Sequence, residues 1–348
     1  MHGQTKIVYG SEAAKVRRQK KILAFQAATS DFESQLGKGD MTEAGFSLTT
    51  RVLDLNPEYY TAWNYRRRIL QSFFDQADTA ATLTAANSEE IAVPTPQSDA
   101  QRSPDKKKSH PEVGTPSPRE RLLAELRYTA QHLAKHPKSY WLWFHRSWSC
   151  QQLHTQYSPC DWEHELELCT KFLNVDHRNF HCWNYRRWVA SFPASKGTIA
   201  KEFEFTTGKI EQSFSNYSAW HQRSYLLPMC HTTEDSLQAA LEEEFDFVKA
   251  AFYTDPSDQS AWFYHRWLVA RSQHPDIEKR ELEMCEELIE LEPEAKWPLV
   301  TSVVLMVKLR EKGFSEYEDR ISVYLDKLEE VDPYRKMYYR SMRLRGGN

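Results

Sequence analysis

The sequence predicts an all-α protein: a right-handed α-α superhelix, or solenoid, of about six to seven helical hairpin repeats. Three observations carry this. Tryptophan recurs with a fixed set of neighbours at Trp63, Trp143, Trp183, Trp220, Trp262 and Trp297, with successive spacings of 80, 40, 37, 42 and 35 residues. Amphipathic stretches with apolar residues at helical spacing lie ahead of the motifs. Glycine is scarce: 11 of 348 residues, no more than Trp, against a usual share of roughly 7%. A chain this poor in positive-φ residues has few tight turns and no Gly-rich phosphate loop. That weighs against a nucleotide-binding α/β enzyme and against an all-β sandwich. Length alone allows two domains or one large one, but a repeat array absorbs the whole length without a boundary. Residues 1–348 therefore read as a single repeat domain.

The motifs run in order as NPEYYTAWNYRRRIL (56–70), HPKSYWLWFHRSWSC (136–150), HRNFHCWNYRRWVA (177–190), FSNYSAWHQRSYLL (214–227) and DPSDQSAWFYHRWLVA (255–270). EPEAKWPLVTSVVL (292–305) is a degenerate sixth, and VDPYRKMYYRSMR (331–343) a last partial copy. Pro57, Pro137 and Pro256 stand six residues before their Trp and predict helix starts. Tyr60, Tyr140, Phe180 and Tyr217 stand three before it. Arg66, Arg146, Arg186 and Arg223 stand three after it, and His265 takes that place in the fifth copy. Trp and the Arg three later share a helix face, so the guanidinium can lie beside the indole and bond a neighbouring carboxylate or carbonyl. Helices are predicted ahead of the motifs over Arg119–Lys135, Trp162–Val175, Thr198–Phe214, Leu237–Phe252 and Asp276–Leu291. Each unit is a helix, a short turn and a Trp-bearing helix. Such a hairpin cannot bury its apolar face alone, so neighbours stack.

The doubled first spacing marks an insertion over 77–118. It holds six prolines, many Ser, Thr, Asp and Lys, and no aromatic residue, and is expected to be disordered. Thr95, Ser103, Thr115 and Ser117 each precede Pro; proline-directed phosphorylation is a subsidiary idea beside a plain solvated loop. Lys plus Arg number 45 and Asp plus Glu 49, a net charge of −4, and no basic tract is longer than a three-residue run such as Lys106–Lys108. No nucleic-acid partner is implied. No apolar run is long enough to span a membrane, and the polar start, Met1–Lys21, lacks a signal-peptide core. The six cysteines (Cys150, Cys160, Cys169, Cys182, Cys230 and Cys285) form no Cys-x-x-Cys pair and read as reduced thiols of a cytoplasmic protein.

No self-contained active site is present: there is no HExxH, GxSxG, Walker or Rossmann signature. His145, His221 and His265 sit within the motifs and are expected to be packing residues with one satisfied nitrogen. From the residues alone the chain is a helical scaffold that presents a binding surface.

Five copies of a pattern like [PN]-x-[NSD]-[YF]-x-x-W-[NHF]-[YHQ]-R resemble the repeat of protein prenyltransferase α subunits, over nearly the whole chain outside the insertion. The start MHGQTK and the segments PKSYWLWFHR, RNFHCWNYRRW, FSNYSAWHQRS and FYTDPSDQSAWFYHRWL resemble the type II, or Rab geranylgeranyltransferase, branch more than the α subunit shared by the farnesyl and type I enzymes. The chain resembles a short form without Ig-like or leucine-rich-repeat domains. The resemblance implies a heterodimer in which the α solenoid wraps a prenyltransferase β subunit that holds the catalytic zinc. It implies transfer of geranylgeranyl from geranylgeranyl diphosphate to C-terminal cysteines of Rab GTPases brought by a Rab escort protein, the outer helices being the docking surface. It places Lys138 near the isoprenoid diphosphate, where a fixed cation stabilises the departing charge. Tyr140 would line the isoprenoid side, and Asn179, His181 and Tyr217 would stand at the subunit interface or active-site rim. His2 is a candidate ligand reaching zinc on the partner. Trp63, Arg66, Trp143, Arg146, Trp183, Arg186, Trp220, Arg223 and Trp262 are expected to be architectural. The competing readings are the farnesyl or type I α subunit, and a helical scaffold without catalytic role.

Overall fold

The computed structural model describes residues 12–89, 115–192, 198–272 and 275–345. Among these residues there are fifteen α-helices and no strand. Helix α1 (Glu12–Lys38) comes first. Seven consecutive pairs follow, joined by short turns: α2 (Glu43–Leu55) and α3 (Tyr60–Glu89), α4 (Pro118–Leu133) and α5 (Tyr140–Gln152), α6 (Trp162–Val175) and α7 (Phe180–Ala190), α8 (Thr198–Gln212) and α9 (Tyr217–Cys230), α10 (Glu234–Thr254) and α11 (Gln259–Ser272), α12 (Pro275–Leu291) and α13 (Lys296–Glu311), α14 (Glu318–Val331) and α15 (Lys336–Arg345). The chain divides into two compact units, one up to Phe172 and one from Leu173. Of the described glycines, only Gly39 (φ 66°) and Gly313 (φ 99°) take positive φ. This is the backbone counterpart of a composition so low in glycine.

The second helix of each pair, the B-helix, carries the motif. The motif tryptophans Trp63, Trp143, Trp183, Trp220 and Trp262 are buried. Each indole N–H donates to the backbone carbonyl six residues earlier: Pro57 at 2.8 Å, Pro137 at 2.8 Å, His177 at 2.9 Å, Phe214 at 2.6 Å and Pro256 at 2.9 Å. The bond ties the B-helix to the turn before it and satisfies the one polar atom of a buried indole. It also corrects the reading of the prolines. Pro57, Pro137 and Pro256 lie in the turn, three residues ahead of the helices at Tyr60, Tyr140 and Gln259, and not in the first helical turn. The carbonyl does the bonding, so His177 and Phe214 serve equally well.

The Arg column joins one repeat to the next. Arg66 makes a two-pronged ion pair with Glu125 of α4, at 2.7 Å for both bonds. Arg146 grips Glu165 of α6 at 2.7 and 2.6 Å. Arg186 holds Glu202 of α8 and Arg223 holds Glu244 of α10 in the same way. His265, the odd member, still reaches the equivalent carboxylate, Glu281 of α12, at 2.9 Å. All five pairs are buried. The third guanidinium nitrogen is spent on the arginine's own repeat: Arg66 donates to Thr49 and Thr50, and Arg223 to Thr206 and Thr207. Aromatic rings close the guanidinium faces, Phe46 over Arg66 at 3.9 Å and Phe205 over Arg186 at 3.5 Å. Buried charge is tolerated in the four Arg–Glu joints because guanidinium and carboxylate meet in a planar, two-pronged arrangement.

The first joint fixes an acid sensitivity. Burial alone would raise the Glu125 carboxyl, but the Arg66 guanidinium and the His145 hydrogen bond outweigh it and hold the group down at about 2. Burial pushes the His145 imidazole below its ordinary value, so the ring is neutral and donates Nε2–H to Glu125 at 2.7 Å. A depressed carboxyl contributes stability that is present above its unfolded value and lost as pH falls towards its folded one. A depressed imidazole acts in the same direction below its unfolded value, because the unfolded chain takes up the proton first. Urea midpoints should therefore fall continuously from about pH 6.5 down through pH 4. Glu125→Gln should flatten the lower part of that slope; an unchanged slope would remove Glu125 from the account.

Two elements depart from the sequence expectations. Helix α1 is not announced by the sequence, because its apolar positions are sparse; only Ala28 and Phe32 bury. The insertion also begins later than residue 77, since α3 continues to Glu89. Its alanines, such as Ala77, Ala80 and Ala81, are strong helix formers and need no aromatic partner to extend an existing helix. At the other end α4 starts at Pro118 under a capping box, with Ser117 and Glu120 bonding reciprocally. Ser117 is thus a helix cap. Thr95, Ser103 and the chain terminus Gly346–Asn348 lie outside the described residues.

Candidate functional site

Trp and the Arg three later point inward on α3, α5, α7 and α9, as Trp262 and His265 do on α11, so positions −3, +1 and +4 relative to Trp, one turn apart in succession, point outward. The aromatic column at −3 is accordingly on the surface: Tyr60, Tyr140, Phe180 and Tyr217 are between 46 and 60% exposed. Phe144, Asn184, His221 and Phe263 at +1 are exposed as well. At +4, Arg67 and Arg187 are half-buried, each donating to the Asn three residues earlier, Asn64 and Asn184. Burial holds both guanidinium groups below the ordinary arginine value. Within each unit, exposed aromatic and half-desolvated cationic side chains recurring on the B-helices are the makings of a binding face.

In the first unit this face is a joined cluster. Trp141 lies against Tyr60 (ring centroids 4.2 Å), Tyr140 (4.8 Å) and Phe144 (6.1 Å), and Arg67 stands 5.0 Å from the Phe144 centroid. In the second unit Tyr217 meets His221 and Phe263, and Phe263 meets Trp297. Lys138 is exposed in the turn before α5, next to the start of the helix. Ser139 occupies the cap position of α5 but makes no side-chain cap bond, and its hydroxyl is buried. The first amide groups of α5, with their partial positive charge, stand beside Lys138, and Ser139 gives them no side-chain cap.

The other expected site residues divide. Tyr140 and Tyr217 are on the exposed stripe, and His181 is half-buried beside Phe180, with ring centroids 4.0 Å apart. Asn179 is 2% exposed and caps α7, its side-chain oxygen accepting the Cys182 N–H at 3.2 Å. His145 and His265 are buried with one bonded nitrogen each, as expected of packing residues. His221 is not one of them: it is exposed on the stripe, because the +1 position faces outward. Five cysteines are buried and Cys230 is half-buried, all as free thiols. His2 lies outside the described residues. Among the described residues no group of three or more His, Cys, Asp and Glu could hold a metal ion, so those side chains do not fit a zinc site of their own. Nor is any described helix long and apolar enough to cross a membrane.

Sequence reasoning missed the glutamate half of every joint. A signal was present. Glu125, Glu165, Glu202, Glu244 and Glu281 each open a Glu-apolar-polar-apolar run in the first helix of the following repeat, as in Glu202–Phe203–Glu204–Phe205. It also missed Trp141, which lies outside the motif Trp column yet ties Tyr60 to Tyr140.

The protein prenyltransferase alpha subunit repeat matches this chain five times, at residues 42–73, 122–153, 162–192, 199–230 and 241–272. Each match spans one hairpin of the fold. The geranylgeranyl transferase type-2 subunit alpha of Dictyostelium discoideum is 36% identical over 98% of this chain and 99% of its own length. The Schizosaccharomyces pombe protein of the same name is 31% identical over 98% and 97%. The Bos taurus protein of that name is 38% identical over 79% of this chain, which spans only 43% of that longer protein. Among solved structures, a chain of Candida albicans protein geranylgeranyltransferase-I complexed with GGPP superposes with a TM-score of 0.65, covering 92% of this chain and 90% of that one. At 18% identity that likeness concerns the fold.

Proposed function

The chain belongs to the protein prenyltransferase α-subunit family, and from that premise we propose that it is the α subunit of a Rab (type II) geranylgeranyltransferase. The observation that carries the reading is the end-to-end match with type-2 α subunits, at 36% identity over 98% of this chain in Dictyostelium. In this reading the exposed B-helix stripe meets a β subunit, which holds the catalytic zinc. The aromatic rings of Tyr140, Phe180 and Tyr217 lose their exposed area there, which is the main driving force for such a contact. Geranylgeranyl diphosphate is the donor, and Rab GTPases presented by an escort protein are the acceptors. The chain works in the cytoplasm.

The reaction joins a cysteine sulfur to C1 of the isoprenoid as the C1–O bond breaks and diphosphate leaves with the electron pair. This chain's part is electrostatic and positional. Lys138 and the adjacent amino end of α5 offer fixed positive charge to the leaving diphosphate, favouring the transition state in which that charge develops. Tyr140, held by Trp141 and stacked near Phe144, lines the isoprenoid side. His181 and Tyr217 stand at the rim, and Asn179 acts behind them by capping α7. His2, at the amino terminus, is a candidate ligand to zinc on the partner.

Co-expression with a type II β subunit, followed by a geranylgeranyl-transfer assay on Rab with escort protein, tests the reading. Failure to form a heterodimer, or transfer only to CaaX peptides, would overturn it. Lys138→Ala should lower kcat by roughly tenfold to a hundredfold while leaving heterodimer assembly intact. The opposite pattern would make Lys138 an interface residue.

A further inference from the structure

The first unit contains a cavity of about 360 Å³ between α4, the beginning of α6 and a single π-helical turn, Leu153–Tyr157. It takes no part in the B-helix stripe. Single π-helical turns inside helical folds frequently mark functional places. This one closes on itself, the Ser158 N–H returning to the Leu153 carbonyl at 2.9 Å, and is tied to the loop that follows by the Cys160 N–H, which donates to His154 Nδ1 at 3.4 Å. The wall it forms is therefore fixed.

The charges around the cavity are unequal. Arg119 and Arg127 lie on one face of α4, separated by roughly 12 Å of helix rise, and His164 faces them from the first turn of α6; all three are exposed. Among the described residues neither arginine has a carboxylate within ion-pair distance; Arg119 donates to the Ser158 hydroxyl at 3.3 Å and acts on the fully exposed neighbouring Glu120 only through its charge. The third guanidinium, Arg146, is already bound to Glu165. The remaining carboxylate, Asp161, accepts the His164 backbone N–H at 3.0 Å. The rest of the wall is apolar, chiefly Leu123, Leu126 and Leu153.

We propose that this cavity binds a phosphate monoester on a short aliphatic bearer, the chemistry of a phosphoserine or phosphothreonine side chain. Arg119 and Arg127 grip the phosphate oxygens and the leucines receive the bearer. Guanidinium groups match a phosphate's geometry in two-pronged contacts. A concave cationic site with low-dielectric walls concentrates anions more than the same charges would on a flat surface. A doubly charged ester also answers two arginines that have no ion pair among the described residues better than a single carboxylate does. The cavity is larger than a bare phosphate needs, and its apolar side gives the bearer a contact that inorganic phosphate lacks. Glu163 and Glu167, exposed on α6, would repel an anionic membrane surface, so a phosphorylated polypeptide is favoured over a lipid headgroup. None of this depends on the transferase reading.

The test is a calorimetric titration of the full chain at constant ionic strength. The probes are N-acetyl-O-phosphoserine methylamide, its unphosphorylated twin, inorganic phosphate, and vesicles containing phosphatidylinositol 4-phosphate. The phosphoserine compound should bind several-fold more tightly than inorganic phosphate, and the twin should not bind. Arg119→Ala and Arg127→Ala should each weaken binding about tenfold. Both positions are exposed, so the variants should keep the parent's thermal midpoint. Absence of binding overturns the proposal, as does equal affinity in Arg127→Ala. Inorganic phosphate binding as tightly as the phosphoserine compound would leave only a bare anion hole. Vesicle capture through Arg119 and Arg127 without phosphoserine binding would assign the site to a membrane.

Discussion

Arg146→Ala is expected to destabilise the first unit by about 3–5 kcal/mol, enough to lower its thermal midpoint by on the order of 10 °C. The loss comes from what remains. Glu165 is buried and its two oxygens are both held by Arg146 at 2.6–2.7 Å. With the guanidinium gone, a carboxylate is left in an apolar joint between α5 and α6, together with the Leu126 carbonyl and the Thr129 hydroxyl that Arg146 also served. The control is the double variant Arg146→Met, Glu165→Met. It removes both charges and keeps the volume, so it should be markedly more stable than Arg146→Ala. Urea unfolding of the two variants and the parent decides the matter. Equal loss in both would mean that packing, and not the stranded charge, holds the joint.

Trp220→Ala should cost a similar amount, about 3–5 kcal/mol, for a different reason. The indole fills a buried site against Phe247 and Tyr264, with ring centroids at 5.5 and 4.9 Å. Its truncation leaves a void in a layer that cannot close. Trp220→Phe keeps most of that volume and removes the N–H donated to the Phe214 carbonyl, so it should cost roughly 1–3 kcal/mol. If Phe proved as damaging as Ala, the tie between turn and helix would outweigh ring packing. Guanidinium-chloride midpoints for the three proteins distinguish these outcomes.

The hairpin plan was legible because its signals are local. Trp, the aromatic three before it and the Arg three after it fall on two faces of one helix, and the two faces have opposite fates: Trp63 buried, Tyr60 46% exposed. The sequence shows that the columns exist but not which of them faces outward, and so His221 was misassigned to the interior. The Glu partners were harder to see. Arg66 and Glu125 are 59 residues apart while Arg186 and Glu202 are 16 apart, so no fixed spacing links them; only the stacking of repeats brings them together. The boundary of the insertion was set by helix propagation beyond the last packed turn of α3, which periodicity does not register. In the candidate site, Lys138 and Tyr140 owe their significance to family resemblance. Their exposure and the aromatic cluster around Trp141 come from the structure.

The paired Arg and Glu side chains also act as a code for order. The B-helices α3, α5, α7 and α9 each offer one guanidinium, and the helix that follows each of them offers one carboxylate to meet it. A helix docked one turn out of step would seal a lone guanidinium against leucine and a lone carboxylate beyond it, at several kcal/mol for each. Apolar surfaces alone permit sliding, since one leucine stripe accepts another at many offsets. The buried charges remove that freedom and let the repeats assemble in only one alignment.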